Sequence, residues 1–156
     1  MTDFERREFK TSDEPVANEI AEITDAMLDE ILLTLKLERA AVLLEDESGW
    51  KIASTHDLPK DGFWTIAPIS LSILKDAFDK EQPLMLVDAV GNSNFKDATS
   101  VVLSGLRSVI CVPIPDSWGR MRGMLYADNR LASGAFSPDD LGTLTELGKE
   151  LGSRLF

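Results

Sequence analysis

Side chains able to do chemistry are sparse in this sequence: it holds one histidine, His56, and one cysteine, Cys111. A metal centre needs several nitrogen, sulfur or carboxylate ligands converging, so this supply excludes zinc and iron–sulfur sites. His56 precedes Asp57, a base beside an acid. The sequence has no Gly-x-Ser-x-Gly elbow, however, and its nearby serines stand where helices begin, so His56 reads as a solvent-exposed loop residue rather than part of a hydrolase triad. Cys111 lies within an apolar run and reads as a small buried hydrophobe. A lone cysteine permits no intramolecular disulfide, as expected in a reducing compartment. Arg107 is the sharpest remaining side chain. At the start of a buried strand its guanidinium either holds a carboxylate or phosphate through a two-pronged fork, or makes a structural salt bridge to Asp88 or Asp128.

The elements that must position these residues are most legible over residues 106–141. Val109, Cys111 and Pro113 alternate with Ile110, Val112 and Ile114, and apolar residues on both sets predict a strand covered on both faces. Residues 123–127 read likewise, and the turn-rich residues 115–119 join the two as an antiparallel hairpin. Ser137 then supplies an N-cap oxygen, Pro138 fits the first helical position, and the Asp140 carboxylate meets the free N–H groups. The helix this starts, over residues 138–155, spaces Leu141, Leu144, Gly148, Leu151 and Leu155 at steps of three and four. Gly142, Gly148 and Gly152 each cost such a helix about 1 kcal/mol where exposed. Either the helix approaches a second helix closely, or its end is weak and frayed.

Upstream, residues 1–14 are polar and without period, which reads as a flexible tail or linker ahead of one domain over residues 15–156. Ser12 or Asp13 can cap a helix with Pro15 near its first turn. Ile20, Ile23, Met27, Ile31 and Leu35, widened by Leu28 and Leu32, form its apolar stripe. At about 30 Å it is longer than a small sheet requires, which suggests a partner helix. Residues 40–44 and 50–55 predict a hairpin. Residues 56–68 form an irregular loop around Phe63 and Trp64, in which Trp64 is a lid or a core plug. A helix over residues 69–80 and a strand over 84–87 follow. Residues 88–105 turn polar, with a short helix over 100–104.

A chain of 156 residues at 44% hydrophobic composition can bury one core without staples. Its 27 acidic against 16 basic residues give a net charge of −11, which disfavours approach to phosphate backbones and anionic lipid. Nucleic acid is therefore not an expected partner. The sequence has neither an apolar run long enough to span a bilayer nor a signal peptide, so a cytoplasmic location without membrane insertion is expected.

The ordered phrases Ile69-Ser70-Leu71-Ser72-Ile73-Leu74, Gln82-Pro83-Leu84 with Val87-Asp88-Ala89, Asn94-Phe95, Ser100-Val101, LRSVICVPI and FSPDDL resemble those of a GAF domain. They look most like GAF domains of bacterial histidine kinases, enhancer-binding activators, forkhead-associated proteins and nucleotide cyclases, over roughly residues 16–156. The resemblance implies an α/β (α+β) fold. A central antiparallel sheet of roughly five or six strands would carry long terminal helices on one face, with short helices and loops around a cavity on the other. It also implies a homodimer paired through the terminal helices and an attached output domain in a larger regulator. Phe136 and Asp140 match the cyclic-nucleotide branch, but Gly105 stands near its lysine and Lys96-Asp97 at its asparagine, which argues against that ligand. The lone Cys111 argues against a bilin. It also argues against the free-methionine-sulfoxide reductases of this fold, which need a second thiol to resolve a sulfenic acid. No cofactor is expected. The implied pocket is lined by Phe95, Ser100, Arg107, Ser108, Tyr126 and Asp128, with Tyr126 a core aromatic holding its hydroxyl at the rim. The expected function is a non-catalytic sensory or regulatory domain that binds an unknown small-molecule ligand and signals through the helices. A ligand-free dimerisation or protein-interaction module is the alternative, and an enzyme the third.

Overall fold

A strand whose neighbours all carry apolar side chains must be covered on both sides, because successive residues point to opposite faces. A computed structural model of the chain describes residues 8–67, 69, 71–86, 108–130 and 135–156. In chain order these form α1 (Asn18–Thr34), β1 (Arg39–Asp46), β2 (Gly49–His56), the single turn α2 (Phe63–Ile66), α3 (Leu71–Lys80), β3 (Leu84–Leu86), β4 (Ser108–Pro115), β5 (Met121–Asn129) and α4 (Pro138–Leu155). The strands make a five-stranded sheet in the order β2-β1-β5-β4-β3, with every pair antiparallel. This is the expected α+β architecture.

The sheet divides the core in two. Ala40, Val42, Leu44, Ile110, Val112, Ile114, Leu125 and Ala127 face Met27, Leu28 and Ile31 of α1 and Leu144 and Leu151 of α4. Ala41, Leu43, Val109, Cys111, Met124 and Tyr126 face Phe63 of α2 and Ile73, Leu74, Ala77 and Phe78 of α3. Fully burying such side chains contributes about 1.5–3 kcal/mol each, so both layers are needed to hold the sheet.

One register defect ties sheet to helix. Val42 pairs with Ser54 and Leu43 with Ile52, which leaves Ala53 as an extra residue in β2. The bulge turns Ser54 away from the side Ile52 occupies and delivers its hydroxyl to α1. There it donates to Asp25 and lies 2.7 Å from the Thr24 hydroxyl.

The helix α4 begins as its sequence predicts. The Asp140 N–H donates to Ser137 Oγ at 3.1 Å, and the Ser137 N–H donates to the Asp140 carboxylate at 2.8 Å. Its glycines resolve the choice left by the sequence in an unforeseen way. A Cβ on Gly148 would stand 2.7 Å from the Pro113 carbonyl oxygen, and one on Gly152 only 2.0 Å from that of Pro115. The close approach is to strand β4, not to another helix. A Cβ on Gly142 would meet nothing within 4 Å.

The N-terminal expectation is corrected. Residues 9–12, read as part of a flexible tail, run beside β2. Trp50 N–H donates to the Lys10 carbonyl at 2.6 Å, Ser12 N–H donates to the Trp50 carbonyl at 2.9 Å, and Phe9 stacks on Trp50 at 5.9 Å. Gly49, at φ +122°, permits this approach, since a Cβ there would lie 2.6 Å from the Lys10 carbonyl oxygen. With this segment docked, Ser12 is not a helix cap. It accepts the Glu14 N–H at 3.2 Å, and α1 starts later, from Ala17, with no side-chain cap. The short helix expected over residues 100–104 lies outside the described residues.

Candidate functional site

An arginine at the start of one strand and an aspartate at the end of its antiparallel neighbour arrive at the same end of a sheet. Arg39 opens β1, Asp128 closes β5, and the register sets them directly opposite each other. Arg39 Nε donates to Asp128 Oδ1 at 2.6 Å and Nη2 donates to Oδ2 at 2.7 Å, a bidentate fork of the strong kind. Tyr126, two residues earlier on β5 and so on the same face, donates its hydroxyl to Asp128 Oδ2. Arg39 and Tyr126 are each 1% exposed and Asp128 is fully buried. The cluster lies on the sheet face that carries α2 and α3.

The electrostatics follow from burial. Desolvation pushes the Asp128 carboxyl above its ordinary value, against the hydrogen bonds and charge of Arg39 and the Tyr126 hydrogen bond. Three donors converge on its two oxygens, which calls for the ionised, acceptor-only form. Burial, reinforced by the Asp128 charge, holds the Tyr126 phenol well above its usual range. One part of the cluster is incomplete: among the described residues Arg39 Nη1 is buried and has no hydrogen-bond partner. A buried donor left unmade costs about 1–3 kcal/mol, more on a charged group, so this atom calls for an acceptor.

The residues expected from the sequence fare differently. Tyr126 and Asp128 are brought together. The Tyr126 hydroxyl is held inside by Asp128 rather than at a rim. Ser108 stands apart, two residues before Ile110 and on its side of the sheet, and its hydroxyl accepts the Ala135 N–H at 3.0 Å. Phe95, Ser100 and Arg107 lie outside the described residues. The salt-bridge partner named for Arg107, Asp128, already has both oxygens engaged. Arg39 is the residue the sequence reading missed. Its signal was an arginine immediately before the apolar run of residues 40–44, matched by an aspartate immediately after the apolar run of β5.

Other reactive groups are spent on structure. The Cys111 thiol is buried, lies 3.7 Å from Met124 Sδ, and is pushed by burial up to about 12, far from the thiolate a nucleophile or chromophore attachment needs. The His56 imidazole is about one-third exposed, 3.7 Å from Asp57, with no nucleophile set against it. Trp64 donates its indole N–H to the Ser12 carbonyl at 3.2 Å and packs edge-on against Phe9 and Phe63, which makes it a plug between the N-terminal segment and the core. Among the described residues no three histidine, cysteine or carboxylate side chains gather as metal ligands, and no helix is long and apolar enough to cross a membrane.

Comparison with known proteins agrees with this architecture. The chain's fold is similar to that of a GAF domain/HD domain protein from Geobacter sulfurreducens, at 21% identity and TM-score 0.66, covering 86% of this chain and 90% of that one. It is also similar to the GAF domain of a two-component sensor histidine kinase from Bacillus halodurans, at 20% identity and TM-score 0.59 over 84% and 89% of the chains. A third similar structure is a type II free methionine-R-sulfoxide reductase from Thermoplasma acidophilum, at 16% identity and TM-score 0.66 over 86% and 90%. Among curated protein sequences none matches. The GAF domain family model matches residues 19–155, and with the sheet order, the two-faced core and the flanking helices in place, the chain belongs to the GAF domain family.

Proposed function

We propose that this GAF domain is a non-catalytic sensor that binds a small molecule beside Arg39, Asp128 and Tyr126 and passes occupancy to an attached output domain through α1 and α4. The observation that carries this reading is the buried Arg39 Nη1 with no acceptor among the described residues, on the face opposite the long helices. A domain with a merely structural ion pair gains nothing from leaving a guanidinium nitrogen unmatched. Signal would travel from β1 and β5, which hold the cluster, to β2 and thence through Ser54, Thr24 and Asp25 into α1. The domain acts as a cytoplasmic homodimer paired through its terminal helices. The inert Cys111 supports a non-catalytic role.

Leu33 favours a second reading. At 90% exposure on α1, it marks a face suited to a partner helix, as a ligand-free dimerisation or protein-interaction module requires. A thermal-shift screen of the whole chain against cyclic nucleotides, amino acids, organic acids and neutral amides separates the two. Ligand at a hundredfold its dissociation constant adds about 2.7 kcal/mol, a rise of roughly 5–10 °C for a domain of this size. No rise with any class leaves the interaction module as the better account.

A further inference from the structure

We infer that the ligand of this site presents a neutral oxygen acceptor, the carbonyl of an amide, lactam or urea, to Arg39 Nη1, and not a carboxylate, phosphate or sulfate. The inference rests on the sensing role above and names the chemistry of its ligand. It follows from counting charges in a closed space. The guanidinium carries one positive charge and the Asp128 carboxylate one negative, and the fork between them is fully made. The pair is therefore balanced before any ligand arrives. An anion would leave an uncompensated negative charge beside Asp128, among residues no more than 1% exposed, where each unpaired ion costs several kcal/mol. A cation would face a positively charged donor. A neutral carbonyl oxygen supplies the missing acceptor and disturbs nothing else.

Tyr126 contributes to the same selection. Its proton is committed to Asp128, so its oxygen offers a ligand only a lone pair. At 1% exposure Arg39 is reached by local opening of the covering layer, and association is accordingly slower than a preformed surface site would give.

The test is a titration of the whole nitrogen-15-labelled chain with 2-pyrrolidinone and, in parallel at matched ionic strength, with sodium acetate. The Arg39 guanidinium resonances are followed. The lactam is expected to move them saturably and acetate at the same concentration to leave them in place. Arg39→Lys keeps a cation for Asp128 and lacks Nη1, and is expected to weaken the lactam response at least tenfold. Should that variant unfold, the wild-type titrations decide alone. Saturation by acetate at lower concentration than the lactam overturns the neutral-acceptor assignment and leaves sensing intact. So does an internal water that stays at Nη1 while the lactam is added. Compounds that stabilise the chain with Arg39 unmoved overturn the site but not the sensor, whereas silence of every small molecule overturns both.

Discussion

Arg39 and Asp128 illustrate how a buried ion pair is costly to break and cheap to replace. Removing one member strands the other inside, so Asp128→Leu or Arg39→Met alone is expected to cost about 3–5 kcal/mol in urea unfolding. The double variant, apolar on both sides, is expected to recover most of that loss, and a fully additive double loss would contradict the pairing. Cys111 gives a second expectation at this scale. The folded thiol is held up to about 12 while the unfolded one titrates near its ordinary 9.0. The folded state therefore keeps a proton that the unfolded state loses. Its contribution is complete below pH 9 and declines toward pH 12 by about 1.4 kcal/mol per unit. Cys111→Ala is expected to remove that slope between pH 9 and 10, measured by denaturant midpoints. Asp128 and Tyr126 were legible in the sequence as polar groups inside an apolar strand. Arg39 was not, because its partner lies 89 positions along the chain and only the β1–β5 register shows which arginine faces which acid.

Among the elements, α4 carries the clearest lesson about what a sequence conveys. Its start was legible to the residue, since the cap, the proline and the carboxylate act locally. Its glycines were legible only as a cost. Their reason lies in the carbonyls of Pro113 and Pro115, which belong to a strand some thirty positions earlier. The three glycines should accordingly differ in sign. Gly142→Ala fills open space on a helix and is expected to stabilise by about 1 kcal/mol. Gly152→Ala forces a methyl group against backbone and is expected to destabilise by about 1–3 kcal/mol. Chemical denaturation of the two variants checks this, and equal effects would contradict the close packing. The start of α1 misled for the same physical reason: Ser12 is a good cap in isolation, but pairing with Trp50 claims its backbone first.

For the whole molecule, the sheet separates a helix-bearing face from a face that holds the buried cluster, and the bulge at Ala53 joins them across one strand. The architecture followed from period and turn chemistry, whereas the site depended on which residues long-range pairing brings together. The exposed Leu33 on α1 leads to the expectation that light scattering of the chain returns twice the monomer mass, and that Leu33→Glu lowers it toward one. A clean monomer at high concentration would contradict pairing through the helices. The most direct test of sensing at Arg39 is the thermal midpoint of wild type and Arg39→Lys, measured side by side across the small-molecule panel. The account predicts at least one neutral carbonyl compound that raises the wild-type midpoint by roughly 5–10 °C at a hundredfold its dissociation constant and leaves the variant unmoved. A panel that raises neither protein, or raises both equally, would contradict it.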